Sequence, residues 1–132
     1  MKYMLDTNIC VYIIKKSPPQ VFEKFETFSR DDICISSITL AELEYGICKS
    51  IFSQRNRTAV TIFVSNLKIL PFDEAAATEY GEIRATLERH GTPIGANDLL
   101  IAAHARALGL TLVTNNLREF ERVNGLQVEN WI

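Results

Sequence analysis

Three acidic residues stand where their carboxylates can work together, although they are far apart along the chain. Asp6 follows an apolar run, Glu42 follows a second, β-rich run, and Asp98 begins a helical segment after a Gly/Pro-rich loop. Converging carboxylates repel one another unless a cation is present, and ligand sets made only of oxygen suit hard ions such as Mg²⁺ or Mn²⁺. Such an ion can hold a phosphate oxygen and orient an attacking water, which is the chemistry of phosphodiester hydrolysis.

Two amide side chains follow a third apolar run. Asn115 and Asn116 come directly after Thr114, where a buried strand is predicted to end. The carboxyl ends of parallel strands lie along one edge of a sheet, and functional groups gather there. We therefore expect these polar residues to lie near Asp6.

Each acidic residue also has a purely structural interpretation. Asp6 can cap a strand-to-helix turn, and Asp98 can complement the dipole of its helix. Glu42 can complete a capping box with Thr39 by reaching back to the Thr39 amide. These alternatives stay open for each residue alone, whereas the joint pattern favours a metal site.

A histidine offers itself as a general base, and the spacing argues against it. His104 lies six residues beyond Asp98, which puts the two side chains on largely different faces of one helix. Its alanine neighbours suggest close packing, so we predict a structural or surface histidine. The chain also lacks the Gly-rich phosphate-binding loops and the nucleophile elbow.

The elements that must position these residues alternate between strand and helix. Apolar periodicity and turn residues predict strands at 3–5, 33–38, 68–72, 110–114 and 126–128. Helices are predicted from Thr7-Asn8 to Ile14, across 21–28, at 39–49, up to about 66, and at 73–90, 97–108 and 117–122. This alternation predicts an α/β fold with a parallel sheet of about four to five strands flanked by helices.

Length and composition restrict the possible classes of protein. A chain of 132 residues predicts one domain over 1–132, and its net charge of −2 leaves no general basic field for nucleic acid. Three cysteines without a C-x-x-C pair and two histidines argue against a zinc site and indicate reduced thiols. No apolar run approaches the roughly 18 residues of a membrane helix, and the N-terminus does not read as a signal peptide. We expect a cytoplasmic protein without a membrane partner.

Four blocks occur in order along the chain: MLDTN at 4–8, SSITLAEL at 36–43, PIGAND at 93–98 and LVTNN at 112–116. Together they resemble the PIN-domain ribonucleases and, more closely, the VapC toxins of bacterial type II toxin–antitoxin modules. The resemblance implies a PIN-like three-layer fold and a Mg²⁺-dependent endoribonuclease, with Mn²⁺ as a possible substitute. It makes Asp6 and Asp98 the principal metal ligands, and Glu42 a ligand through water or the residue that positions the nucleophile.

The fourth acidic position of the family departs from its usual pattern here. Asn116 stands where an acid is common, so either Asn116 serves as a weaker polar contact or Glu119 contributes the carboxylate. Thr7, Asn8 and Thr114 match positions that hold the carboxylates or a phosphate through hydrogen bonds.

The segments most similar to enteric members of this family are the N-terminal block, residues 118–122 and the ending Glu129-Asn130-Trp131. That similarity implies cleavage of initiator tRNA in its anticodon loop, which would inhibit translation. It also implies a homodimer, a cognate VapB antitoxin and a higher toxin–antitoxin assembly. A catalytically inactive PIN-like module that binds RNA or protein is the alternative, and retention of the three acids argues against it.

Two sets of residues have open interpretations. The apolar helix at 9–14 and the side chains of Phe22, Phe25 and Phe28 belong either to the core or to a groove for an antitoxin arm. A basic side chain of such an arm could lie among the acids and displace the metal. The candidate phosphate contacts, which otherwise form solvated helix faces, are Lys15, Lys16, Lys49, Arg55, Arg57, Arg84 and Arg89.

Overall fold

The computed structural model describes residues Met1 to Ile132 and has a parallel sheet at its centre. The strands are β1 (Tyr3–Leu5), β2 (Ile33–Ser36), β3 (Lys68–Leu70), β4 (Thr111–Val113) and β5 (Val128–Glu129). They are ordered β3-β2-β1-β4-β5, and every neighbouring pair is parallel. The chain leaves β1 toward β2 and later returns to the other side of β1 with β4. The carboxyl end of β1 is therefore the switch point at which α/β sheets bind their ligands.

Helices cover both faces of the sheet. They are α1 (Thr7–Lys15), α2 (Pro19–Glu26), α3 (Ser37–Lys49), α4 (Ser53–Ser65), α5 (Glu74–Arg89), α6 (Ala96–Leu108) and α7 (Leu117–Phe120), with a 3₁₀ turn at Arg30–Asp32. Successive side chains of a strand point to opposite faces. Leu5 accordingly packs with residues of α1 to α4, whereas Met4 packs with residues of α5 and α6. The two apolar cores confirm the predicted three-layer α/β fold.

One error of the sequence prediction lies between the second strand and the third helix. The strand was expected to reach Ile38, but it ends at Ser36, and α3 begins at Ser37. The Ser36 hydroxyl accepts a hydrogen bond from the Ile38 amide at 3.0 Å and so caps α3. The β-branched Ile38 favours a strand, and this cap outweighs its preference.

Other boundaries differ by one or two residues. Asp6, rather than Thr7 or Asn8, is the N-cap of α1. Helix α2 ends at Glu26, so Phe28 lies beyond it, and α7 ends at Phe120 rather than 122. The third strand ends at Leu70, before the proline, and the last strand begins at 128 rather than 126.

The three phenylalanines belong to the core. Phe25 is 4% exposed, and Phe22 and Phe28 pack partly buried against the same cluster. Phe28 also stacks on Trp131 with ring centroids 5.3 Å apart.

Cys10, Cys34 and Cys48 are free thiols, as predicted. None of the helices combines the length with the apolar character that a bilayer crossing would need.

Candidate active site

Asp6 is the most deeply placed of the acidic residues. It follows β1, is only 4% exposed, and accepts hydrogen bonds from the Thr7 amide at 2.8 Å and the Thr114 hydroxyl at 2.9 Å. Thr114 follows β4, the neighbour of β1 in the sheet. Burial raises the pKa of Asp6, the two hydrogen bonds oppose that rise, and the charge of Glu42 adds to it.

Glu42 joins the same group from α3. One of its carboxylate oxygens accepts a hydrogen bond from the Thr7 hydroxyl, and the other accepts one from the Asn97 amide at 3.2 Å. Thr7 therefore holds Asp6 with its backbone and Glu42 with its side chain. Because Ser36 is the N-cap of α3, the capping box between Thr39 and Glu42 does not form.

Asp98 lies in the first turn of α6 and faces the other acids. Burial, together with the charges of Asp6 and Glu119, raises the pKa of Asp98 to about 7. Repulsion of this kind means that the structure brings these carboxylates close together without neutralising them. Dipole compensation alone would lower the pKa, so the charge environment goes against the purely structural interpretation of Asp98.

Asn116 and Glu119 occupy the fourth corner of the site as a pair. Glu119 accepts hydrogen bonds from the Gly95 amide and from the Asn116 side chain, both at 2.7 Å. These donors lower the pKa of Glu119, the Gly95 amide most of all. The backbone amide of Asn116 in turn donates a hydrogen bond to the Thr114 hydroxyl at 3.0 Å. The amide side chain at 116 thus orients a carboxylate that α7 supplies one turn later.

Gly95 places no side chain against two of the acids. A methyl group at this position would lie 3.6 Å from a carboxylate oxygen of Asp98 and 3.6 Å from one of Glu119. These are ordinary contact distances, so both oxygens border the position that the glycine leaves without a side chain.

Three of the residues considered from the sequence lie outside this network. Asn8 is exposed and its side chain donates to none of the acids. The Asn115 side chain donates to the Tyr12 hydroxyl at 3.1 Å instead. His104 is 1% exposed, contacts the Ser36 hydroxyl at 2.8 Å, and has its pKa lowered by burial, which confirms a structural histidine.

Asn97 and Gly95 are the site residues that the sequence prediction missed. Both lie in the block that contains Asp98, but they were interpreted only as a helix start and a helix breaker. The sequence signal that could have indicated them is their position, since Gly95 and Asn97 stand just before Asp98 at the start of a predicted helix. Nothing in the spacing could show that Asn97 reaches Glu42, 55 residues away.

The arrangement suits a hydrated hard cation rather than an ion enclosed by protein ligands. No three His, Cys, Asp or Glu side chains lie close enough together to surround a metal ion. Mg²⁺ usually keeps several waters and uses one or two carboxylates, so it does not require such a cage. The oxygen-only donors, the unneutralised repulsion at Asp98 and the lack of a side chain at Gly95 all fit that mode of binding.

A groove of about 810 Å³ leads away from the acids between α1, α3 and α4. Thr7, Glu42 and Asn97 form its acidic end, and apolar side chains form most of its walls. The remaining lining residues are Val11, Ile14, Lys15, Ile38, Ala41, Leu43, Tyr45, Gly46, Ile47, Lys49, Asn56, Ala59, Val60 and Leu100.

Comparison with known proteins decides the family. The profile of the PIN domain matches residues 3–126 of the chain. The chain belongs to the PIN domain family. Residues 3–126 include every acidic and amide residue of the site, from Asp6 to Glu119.

Close relatives of this PIN domain are VapC ribonucleases. The chain is 52% identical over 131 residues to the tRNA(fMet)-specific endonuclease VapC of Shigella flexneri. This alignment covers 99% of this chain and 98% of that protein. It is 49% identical over 132 residues to ribonuclease VapC2 of Haemophilus influenzae strain Rd, covering 100% and 99% respectively. The crystal structure of VapBC2 from Rickettsia felis bound to a promoter DNA fragment contains a chain with a TM-score of 0.94 at 48% identity, with both chains fully covered.

Proposed function

We propose that this PIN domain is the toxin of a VapBC-type toxin–antitoxin module and hydrolyses RNA phosphodiester bonds with the help of Mg²⁺. The observation that carries the proposal is the convergence of Asp6, Glu42 and Asp98 from three separate elements at the switch point of the sheet. Full-length similarity to VapC ribonucleases supports it.

The residues at this site divide the work of holding an ion and an RNA phosphate. Asp6 and Asp98 would hold Mg²⁺, or Mn²⁺ in its place, and the ion would supply charge neutralisation and a polarised water. Thr7 and Thr114 keep Asp6 in one orientation, and Thr7 also fixes the carboxylate of Glu42. Glu42 lines the open groove, where it can orient the attacking water and accept its proton at a carboxylate oxygen.

Glu119 supplies the fourth carboxylate in this proposal. Asn116 and the Gly95 amide fix both of its oxygens, and the lowered pKa of Glu119 keeps it ionised at neutral pH. Asn116 acts through Glu119 as its positioning residue.

The proposed substrate is initiator tRNA, cut in its anticodon loop so that translation stops. The relative from Shigella flexneri that supports this substrate is named a tRNA(fMet)-specific endonuclease. The catalytic side chains would be the same for other RNAs, so the substrate is tested separately from the chemistry.

The test is incubation of the purified chain with a pool of tRNA in Mg²⁺, in Mn²⁺ and in EDTA, beside the Asp6→Asn variant. We expect one discrete cut in each metal and none in EDTA or in the variant. Circular dichroism of the variant controls for folding. Intact tRNA in all reactions, with folded and antitoxin-free protein, would contradict the tRNA substrate. If a pool of total RNA also stayed intact, the result would contradict the nuclease and favour an inactive binding module.

A VapB antitoxin, a homodimer and a higher toxin–antitoxin assembly are part of the proposal, because similar solved chains come from VapBC complexes. The groove offers an extended arm apolar contacts at Val11, Leu43 and Val60 and a place for a basic side chain at Glu42. Coexpression with the antitoxin should give a complex without ribonuclease activity. The substitution Val60→Glu should weaken that complex, and unchanged affinity would place the arm elsewhere.

A further inference from the structure

We propose that Tyr45 and Lys49 form a subsite for single-stranded RNA at the rim of the groove. The Tyr45 ring would stack on an unpaired base, and the Lys49 ammonium would bind a neighbouring phosphate. This inference rests on the proposed ribonuclease function and specifies where the RNA lies beside the acids.

The subsite continues the acidic site along one helix. Positions three and seven residues after Glu42 lie on the same face of α3, and Tyr45, Gly46 and Lys49 all line the groove. A rise of about 1.5 Å per residue puts Tyr45 roughly 4.5 Å and Lys49 roughly 10 Å along the helix axis from Glu42. RNA bound along this face would pass directly from the subsite to the catalytic carboxylates.

The Tyr45 ring is available for stacking. Its side chain is 67% exposed, although large aromatic residues are usually well buried. The neighbouring Gly46 leaves open space, since a methyl group there would meet nothing within 4 Å. The Lys49 ammonium lies 5.0 Å from the ring centroid, so the cation and the ring face form one surface.

Charge also favours a phosphate at this place. A cluster of carboxylates repels RNA, so the substrate needs cations close by. Lys15 and Lys49 are the cations that line the groove, and neither forms an ion pair with a carboxylate. Arg57 on the adjoining α4, in contrast, is bound to Glu44 at 2.7 Å and its charge is already compensated.

An RNA fits this rim better than a protein arm does. The apolar contacts suited to a peptide lie on the groove walls. Tyr45 and Lys49, in contrast, combine an exposed ring with a cation that forms no ion pair with a carboxylate. Aromatic rings that stack on bases, beside cations that follow the backbone, are the common means by which proteins bind single-stranded nucleic acid.

Binding and cleavage of one RNA hairpin with an unpaired loop test the subsite. A 2-aminopurine in the loop reports stacking, and affinity is measured with the Asp6→Asn protein so that the RNA stays intact. We expect Tyr45→Leu to weaken binding and to lower kcat/KM of the otherwise active chain about tenfold, with loss of the fluorescence quenching. Tyr45→Phe keeps the ring and should restore most of both. Lys49→Gln should weaken binding and reduce its dependence on salt concentration.

Lys24→Gln is the matched control. The Lys24 ammonium also lies over an aromatic ring, 5.6 Å from the ring centroid of Phe28, but Lys24 belongs to α2 and does not line the groove. It should leave affinity and cleavage unchanged. Wild-type affinity and quenching in Tyr45→Leu would overturn the subsite, as would a loss confined to antitoxin binding, which would assign the rim to the protein partner. Failure of the wild-type chain to cleave any RNA would refute the ribonuclease proposal, while the binding comparison still decides the subsite.

Discussion

The Thr114 hydroxyl controls the charge of the most buried carboxylate in the site. The hydroxyl donates a hydrogen bond to Asp6 and accepts one from the backbone amide of Asn116. A single oxygen therefore connects Asp6 with the loop that leads to Glu119. Burial pushes the pKa of Asp6 upward, and this hydrogen bond is the strongest influence that lowers it. The buried carboxylate of Asp6 thus depends on a hydroxyl at the end of the neighbouring strand for the main influence that lowers its pKa.

Thr114→Val removes that hydroxyl while nearly preserving the shape of the side chain. The pKa of Asp6 should rise further, because burial would then be less opposed. A hydrogen bond to a charged group contributes about 1.5–3 kcal/mol, so the acidic limb of kcat/KM against pH should move upward by about one pH unit or more. Thr114→Ser keeps the hydroxyl and should retain the wild-type profile. Coincident profiles for the valine and wild-type proteins would show that Thr114 does not influence the ionisation that limits activity.

Gly95 allows a test of the space between the acids without breaking the fold. Its φ of −57° suits any residue, and a methyl group would make only ordinary contacts at 3.6 Å. Gly95→Ala should therefore change the free energy of unfolding by no more than about 1 kcal/mol, even though glycine is the better N-cap. Mg²⁺ affinity, measured by calorimetry, should fall severalfold because the methyl group displaces water beside Asp98 and Glu119. Unaltered Mg²⁺ affinity would mean that the ion lies elsewhere.

Helices and strands were predictable where local signals agreed with the tertiary structure. Helix α6 begins after a glycine-rich loop and ends at Gly109 in the left-handed conformation, as the residue types indicate. The boundary at 36–39 was not predictable from propensity, because the preference of Ile38 for a strand opposed the serine cap. Asp6 and Glu42 were recognised as candidates by their positions after predicted strands, Asp98 by its place at the start of a helix, and all three by the motif blocks. The contacts of Gly95 and Asn97 depend on loops that only the folded chain brings together.

Ser36 has two structural roles at the junction of β2 and α3, and its removal should be costly. It caps α3 through the Ile38 amide and is the hydrogen-bond partner of buried His104. Loss of the cap costs about 1 kcal/mol, and a buried imidazole nitrogen without a partner costs about 1–3 kcal/mol. We expect urea unfolding of Ser36→Ala to show a loss of about 2–4 kcal/mol.

Ser29→Ala provides the comparison for that measurement, since Ser29 caps only the exposed 3₁₀ turn through Asp31. Its effect should stay below about 1 kcal/mol. Equal losses in the two variants would show that the contact between Ser36 and His104 adds nothing to the stability of the core.

A half-buried carboxyl group and a buried imidazole give the folded chain opposite responses to pH. The pKa of Asp98 is raised from 3.8 to about 7, so its contribution to stability is complete at low pH and disappears as the pH rises through about 7. Burial lowers the pKa of His104 from 6.5, so its contribution is present above 6.5 and disappears as the pH falls below that value. In the absence of metal the two effects oppose each other and should flatten the dependence of stability on pH between about 5 and 7.

A divalent cation should change that balance in one direction. Mg²⁺ requires ionised carboxylates and relieves their repulsion, so it stabilises the folded chain most where Asp98 would otherwise be charged and unpaired. The difference in melting temperature between Mg²⁺ and EDTA, at equal ionic strength, should be small near pH 5 and should grow up to about pH 8. Asp98→Asn removes the charge and should abolish most of that growth, because the amide neither repels Asp6 nor titrates. The contrary results are that Mg²⁺ leaves the melting temperature unchanged at pH 8, or raises it equally in the wild-type and Asp98→Asn proteins. Either result would show that these carboxylates do not jointly bind the ion.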